Sequence, residues 1–170
     1  GMQLRAAELY ADAGELREAV EAVGALRDAR GVVGERARSI AVGCLLVDGE
    51  FSEVEAWLTS WVPDSAAGEM SREWLTAQGE SRSGADSRAQ AAVLRCCELI
   101  STDVQGASAA GLDLDVVLAA SIMQADTLDS VARSVVRDAA VALVDAGLAK
   151  RGAAGVLAWH GEVGMVDQIA

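Results

Sequence analysis

The stretch that decides the fold is Tyr10-Ala-Asp-Ala-Gly14-Glu-Leu, which returns 35 residues later as Leu45-Leu-Val-Asp-Gly49-Glu-Phe. Gly84 lies another 35 residues along the chain, and a later copy reads Leu143-Val-Asp-Ala-Gly147-Leu-Ala. A glycine at the end of a helix allows the positive φ that reverses the chain. The apolar residue four positions before the glycine is expected to pack the first helix against the second. The motif therefore predicts a helix, a tight turn and a second helix, repeated along the chain.

Apolar residues on both sides of these glycines recur at the i, i+3, i+4 and i+7 spacing of amphipathic helices. The stripe before the first glycine contains Leu4, Ala7, Leu9, Tyr10 and Ala13. The stripe after it contains Leu16, Ala19, Val20, Val23 and Leu26. Carboxylates such as Glu15 and Glu18 lie where the positive end of the second helix favours them. A helix-pair period near 35 residues is typical of an α-solenoid.

The composition favours the same fold class. The chain is 52% hydrophobic but only 4% aromatic, and it contains one proline in 170 residues. Ala and Leu have the best helix propensities, and no stretch alternates strictly as a strand would. We therefore predict an all-α single repeat domain over residues 2–170, with seven to nine helices in stacked antiparallel hairpins. Irregular connections are expected near residues 79–88 and 103–111, and Gly1 is interpreted as a cloning remnant.

At the motif positions the chain resembles the tetratricopeptide repeat family. In the first copy, Tyr10, Gly14 and Ala19 stand at the family's aromatic residue, turn glycine and small crossing-point alanine. In the second copy, these three positions are occupied by Leu45, Gly49 and Val54. Leu58 stands at the family's apolar position later in the second helix. The resemblance covers residues 4–63, and it implies a solenoid of helical hairpins.

Beyond residue 63 the resemblance is degenerate. The copy around Gly84 has Glu80 at the aromatic position, and the copy around Gly147 has Gly152 in place of the alanine. The family's usual tryptophan near the start of each repeat is missing, and so is its closing proline unless Pro63 serves early. These departures leave the identity of the later repeats open.

The resemblance implies protein–protein or peptide recognition on the face formed by the first helix of each repeat. Carried onto this chain, that face would include Glu8 and Asp12 from the first copy, and Arg36 and Ser39 from the second. The acidity of the chain suits a basic peptide, because complementary charge speeds encounter. Modules of this kind are often parts or relatives of larger bacterial regulators, which the resemblance implies here as well.

Bulk charge and hydropathy exclude other partners. With 14 Lys and Arg against 26 Asp and Glu, the formal charge is −12, which opposes sequence-independent binding to nucleic acid. The longest apolar runs, such as residues 40–47, are far shorter than the ~18 residues that span a bilayer. Cys44, Cys96 and Cys97 lack the spacing of metal ligands. We therefore expect a cytoplasmic protein with reduced, buried thiols and without nucleic-acid or membrane partners.

Enzymatic chemistry has little support in the sequence. His160 is the single histidine, and no nucleophile motif surrounds the Ser or Asp residues that could join it. The glycines after residue 150 lack the strand–turn–helix context of a phosphate site. Trp57 and Trp61, four residues apart, could form an aromatic platform but are better explained as core. We predict no catalytic, cofactor-binding or metal-binding residue.

Two further functions remain open as alternatives to a peptide-binding module. One is a small-ligand sensor or helical enzyme with a pocket between helices, for which titratable groups gathered in a pocket would be evidence. The other is a structural homodimer, because solenoids need capped ends. Apolar residues on the terminal helices, such as Leu4 and Ile169, would then be exposed in a monomer.

Overall fold

The computed structural model describes residues 1–123, 128–148 and 150–161, and within these ranges every regular element is an α-helix. The helices are α1 (Met2–Asp12), α2 (Leu16–Gly24), α3 (Gly31–Asp48), α4 (Phe51–Ser60), α5 (Ala66–Arg82), α6 (Asp86–Thr102), α7 (Val104–Ser108), α8 (Leu114–Met123), α9 (Ser130–Asp145) and α10 (Lys150–Trp159). The predicted all-α class is confirmed. The described part of the chain holds ten helices rather than seven to nine, because the short α7 forms inside the expected connection at 103–111.

The four motif glycines all end helices with the same backbone geometry. Their φ angles are 79° at Gly14, 82° at Gly49, 79° at Gly84 and 71° at Gly147. In each turn the residue after the glycine donates its N–H to the carbonyl four residues before the glycine, at 2.8–3.0 Å. This is the long bond of a Schellman motif, and glycine adopts its left-handed conformation without a steric penalty. The 35-residue spacing is therefore a spacing of identical helix ends.

Neighbouring helices form antiparallel hairpins that pack on one another. The hairpins are α1–α2, α3–α4, α5–α6 and α9–α10, and α2 packs along α3. The first helices of the first three hairpins lie side by side, since α1 contacts α3 and α3 contacts α5. In the second half α6 packs against α9, and α8 packs against α10. These contacts are compatible with a helical repeat.

Each half of the chain has a cluster of buried apolar side chains. The N-terminal cluster includes Leu45, Trp57 and Trp61, and the C-terminal cluster includes Ile100 and Leu143. Trp57 and Trp61 are 5% and 1% exposed, so the core interpretation of this pair is confirmed. The burial of such large side chains supplies much of the driving force that holds the hairpins together.

Three details differ from the sequence expectations. The connection near 79–88 is shorter than expected, because α5 continues to Arg82 and only residues 83–85 separate it from α6. The residue four before the glycine is buried at Leu45 and Leu143, but Tyr10 is 39% exposed and does not serve as a packing residue. Leu4 packs against the N-terminal cluster instead of lying exposed, and Leu9 is the exposed apolar residue of α1 at 60%. Residue 169 lies outside the described residues.

Candidate functional site

The predicted binding residues on α1 and α3 are partly brought together. Oε1 of Glu8 accepts hydrogen bonds from Nε and Nη2 of Arg36 at 3.0 and 2.9 Å. This ion pair joins the first helices of two consecutive hairpins across the face proposed by the family resemblance. Ser39 is half-buried on the same helix as Arg36, one turn further along. The structure therefore places all four predicted residues on two adjoining helices, and two of them form an ion pair.

The ion pair leaves Asp12 as the open carboxylate of this face. Asp12 is exposed at the end of α1 and forms no ion pair within the described residues. Apolar surface lies near the start of α3, where Val32 and Val33 are 78% and 42% exposed. α1 therefore offers an unpaired negative charge at its C-terminal end, and α3 offers exposed apolar side chains at its N-terminal end.

A buried carboxylate fastens α3 to α5 at their N-terminal ends. Glu35 is 7% exposed, and its carboxylate accepts from the backbone N–H groups of Asp64 and Ser65 at 2.7 and 3.0 Å. It also accepts from the Ser65 hydroxyl at 2.7 Å, and the same hydroxyl oxygen caps Gly68 N–H at 2.9 Å. In return, the Asp64 carboxylate accepts from Gly31 N–H, at the start of α3, at 2.7 Å. We call this reciprocal arrangement the α3–α5 latch; it satisfies N–H groups that a helix start leaves unpaired.

Arginine side chains hold the rest of α5 in place. Arg82, in the last turn of α5, donates from Nη1 to the carbonyl of Leu46 on α3. Arg72 donates from Nε to the carbonyl of Leu58, near the end of α4, at 3.4 Å. Cationic side chains are suitable partners for the unpaired carbonyls at helix ends. Together with the latch, these bonds fix α5 relative to the α3–α4 hairpin along its whole length.

A cleft of about 360 Å³ lies between α4 and α5. It is lined by Phe51, Val54, Glu55, Leu58, Thr59, Arg72, Thr76, Gly79, Glu80, Ser83 and Arg88. The cleft exists because α4 touches α5 only sparsely, whereas α2 packs along α3 at the corresponding position of the preceding hairpin. None of the four residues predicted for binding lines this cleft. It is the feature that sequence reasoning missed.

The charges of the cleft are unequally compensated. Nη2 of Arg88 pairs with Oε2 of Glu80 at 3.0 Å, so these two charges neutralise each other at one end. Glu55, exposed in the middle of α4, has no hydrogen bond or ion pair within the described residues. The floor is apolar, with Val54 buried and Phe51 left 40% exposed. An unpaired carboxylate beside apolar surface would suit a cationic, partly apolar group.

Arg38 is a second buried charge that the sequence pattern did not reveal. It is 6% exposed, and its Nη2 donates to the carbonyl of Ala29 at 3.0 Å. Its Nε and Nη1 are buried without a partner in the described part of the chain. The bond from the guanidinium to Ala29 ties the loop before α3 to the helix. In the sequence, Arg38 could be recognised only by its spacing, because it lies on the same stripe of α3 as the buried residues Ala41 and Leu45.

The cysteines cannot act as nucleophiles in this environment. Cys44, Cys96 and Cys97 are buried and form no disulfide. Burial raises the pKa of all three thiols, and it raises the pKa of Cys97 to about 12. Thiol reactivity requires the thiolate, which is a negligible fraction at neutral pH under these conditions. The structure therefore assigns these side chains to the core.

The remaining candidate for chemistry is His160 at the end of α10, whose Nε2 is buried without a hydrogen-bond partner among the described residues. The His160 ring lies edge-on to the Trp159 ring, with 4.7 Å between the two ring centres. The guanidinium carbon of Arg133 lies 5.2 Å from the centre of the Trp159 ring. In the ranges that the structure describes, no group of three or more His, Cys, Asp or Glu side chains could hold a metal ion. Among the same residues, no helix is both long and apolar enough to cross a bilayer.

Comparison with known proteins finds no relative of this chain. No protein-family model matches it, and no curated protein or solved structure matches it either. The structure itself provides an all-helical chain whose neighbouring helices pack in hairpins.

Proposed function

We propose that the chain is a non-enzymatic interaction module, similar to tetratricopeptide repeats, that binds a peptide segment of a partner protein. The observation that supports this proposal is the side-by-side packing of α1, α3 and α5, which gives the first helices one continuous face. The ion pair between Glu8 and Arg36 spans two of these helices and orders side chains on that face. A continuous helical face suits a peptide, whereas a small substrate usually needs an enclosed pocket.

The partner segment would carry basic residues. Because Arg36 neutralises Glu8, Asp12 supplies the unpaired carboxylate of α1. The whole chain adds a formal charge of −12, which attracts cationic partners at long range. Val32 and Val33 provide apolar surface for neighbouring side chains of the peptide. We further propose a reducing compartment, the cytoplasm, because the three thiols are buried and unpaired.

Selection from a peptide library on the immobilised full chain tests the proposal. Affinities of the selected peptides would be measured by fluorescence anisotropy for the wild type and for the double variant Glu8→Arg, Asp12→Arg. We expect a loss of about tenfold or more in the variant, because two carboxylates become like charges facing a basic peptide. The double variant Glu21→Arg, Asp145→Arg makes the same change of charge at exposed sites on α2 and α9.

The control separates local recognition from bulk electrostatics. If both double variants weaken binding equally, the first-helix face is not the site and only the net charge attracts the peptides. If neither variant changes the affinity, the predicted residues Glu8 and Asp12 have no part in recognition. Circular dichroism of each variant confirms that the helices are retained, since all four positions lie on helix surfaces.

A further inference from the structure

The cleft between α4 and α5 has firmly held walls. The α3–α5 latch fixes the start of α5, and the bond from Arg82 to the carbonyl of Leu46 fixes its end. On the other side, Val54 and Trp57 anchor α4 in the N-terminal core. Neither helix is free to move across the gap without breaking these contacts. The cleft is therefore a preformed feature of the fold, and a ligand that enters it meets an ordered surface.

The length of the cleft fits a short extended peptide. Its wall on α4 runs from Phe51 to Thr59, which corresponds to about 12 Å at the helical rise of ~1.5 Å per residue. An extended chain covers ~3.3 Å per residue, so about four peptide residues would lie along it. The rim is open to solvent, because Phe51, Glu55 and Thr59 are exposed. An open, elongated groove suits a peptide that continues beyond both ends.

The charges of the cleft indicate which peptide it would take. Glu80 and Arg88 neutralise each other, and Arg72 is directed to the carbonyl of Leu58 and, at 3.6 Å, to Glu73. Glu55 alone among the carboxylates lining the cleft lacks an ion pair within the described residues. A lysine or arginine on the peptide would supply the missing partner. A charge-assisted contact of this kind is stronger than a neutral hydrogen bond.

The cleft also offers apolar floor and acceptor atoms for the peptide backbone. Phe51, Val54 and Leu58 form apolar surface that an aliphatic or aromatic side chain would cover. The hydroxyls of Thr76 and Ser83 donate to carbonyls of their own helix at 2.8 and 2.9 Å. Their oxygen lone pairs are left to accept from peptide N–H groups. Apolar burial and backbone hydrogen bonds are the usual combination in peptide recognition.

We infer that the α4–α5 cleft is a second peptide-binding site, which accepts an extended segment with a lysine or arginine opposite Glu55 and an apolar side chain on the Phe51–Leu58 floor. The inference rests on the proposed function only in that both involve peptide recognition. Its residues lie on α4, α5 and α6, so the cleft shares α5 with the first helices, but it contains none of the residues predicted for the first-helix face.

The same peptide library tests this inference with two cleft variants of the full chain. Glu55→Lys reverses the unpaired charge, and Gly79→Leu places a side chain on the floor, where the nearest atoms to a built Cβ are methyl groups of Leu46 and Val54 at 3.6 Å. Each variant is expected to bind the selected peptides about tenfold or more weakly than the wild type does. The matched controls are Glu21→Lys on α2 and Gly155→Leu on α10, both exposed and outside the cleft.

Charge exchange provides the decisive readout. A selected peptide in which the basic residue is replaced by Glu should bind Glu55→Lys more tightly than it binds the wild type. Peptides that lose affinity in the cleft variants but not in Glu8→Arg, Asp12→Arg support the cleft, and if all selected peptides behave in this way the first-helix proposal is contradicted. If every selected peptide binds normally to both cleft variants, the cleft inference is overturned and the first-helix proposal stands. Both peptide-binding proposals are overturned if the library yields no peptide. They are also overturned if native mass spectrometry shows only a small molecule, bound to the wild type and lost from Gly79→Leu.

Discussion

The α3–α5 latch makes a prediction in which the sign of a mutational effect reverses. Gly68 lies in the first turn of α5, and a Cβ built on it would come within 1.9 Å of Oε1 and 2.2 Å of Cδ of Glu35. Replacing a helical glycine by alanine normally stabilises a protein. Here the new methyl group must expel the Glu35 side chain, which holds three hydrogen bonds to Asp64 and Ser65. We therefore expect Gly68→Ala to destabilise the fold.

The magnitude follows from those contacts. A hydrogen bond to a charged group contributes about 1.5–3 kcal/mol, and bonds that share one carboxylate are not additive. The variant Glu35→Ala should therefore lower the free energy of unfolding by about 3 kcal/mol, consistent with removal of a buried, hydrogen-bonded charge. Gly68→Ala loses the same latch but gains about 0.5 kcal/mol of helix propensity, a low value because the first turn is only partly constrained. Its net loss is then about 2–2.5 kcal/mol.

The double variant isolates the latch. Once Glu35 is alanine, the three atoms nearest to a Cβ at position 68 are gone, and Gly68→Ala should stabilise the Glu35→Ala background by about 0.5 kcal/mol. Urea denaturation followed by far-UV circular dichroism measures the four free energies of the cycle. Gly43→Ala in α3 is the matched control, because no atom lies within 4 Å of a Cβ built there. Additive effects in the cycle, or a stabilising Gly68→Ala in the wild type, would refute the latch.

Three further outcomes are expected from the same packing. Gly79→Ala should raise the free energy of unfolding by about 0.5–1 kcal/mol in urea titrations, because its methyl group meets Val54 at an ordinary contact distance of 3.6 Å. Gly152→Ala should lower the free energy of unfolding by about 1–3 kcal/mol, because its Cβ would lie 2.9–3.1 Å from side-chain and backbone atoms of Asp115. A variant as stable as the wild type would contradict the tight contact between α8 and α10. Stability should also fall as the pH rises from about 9 towards 12, because the unfolded thiols ionise near 9.0 while Cys97 keeps its proton up to about 12. Chemical denaturation across this range should show a smaller decline for Cys97→Ala, and an unchanged decline would remove this thiol as a cause.

Local chemistry explains why the sequence predicted the hairpins. A glycine with positive φ, preceded by an apolar helical stripe, is a signal contained within about ten residues, and Gly14, Gly49 and Gly147 all carry it. Gly84 ends its helix in the same way although Glu80 breaks the apolar pattern. The backbone requirement for glycine therefore persists where the side-chain signature is lost. For that reason the turn positions were more predictable than the identity of the repeats.

Long-range polar contacts explain what the sequence could not predict. The partners of the latch, Glu35 and Ser65, are 30 residues apart, and no motif around either residue predicts the contact. An acidic residue on a helix is usually solvated, so composition alone favours the wrong environment for Glu35. The cleft is still less visible, because it arises from the absence of packing between α4 and α5. A gap has no sequence motif, and only the relative placement of the hairpins reveals it.

The departures from the repeat pattern fall where the structure makes unusual contacts. Glu80 occupies the position of the family's aromatic residue, and its carboxylate pairs with Arg88 on the wall of the cleft. An apolar aromatic side chain there would have replaced this polar end of the cleft. Gly152 replaces the crossing-point alanine, and its N–H donates to Oδ1 of Asp115 at 2.6 Å because α10 lies so close to α8. At both positions the residue that departs from the resembled motif is the one that makes the local contact, so the packing of this chain accounts for both departures.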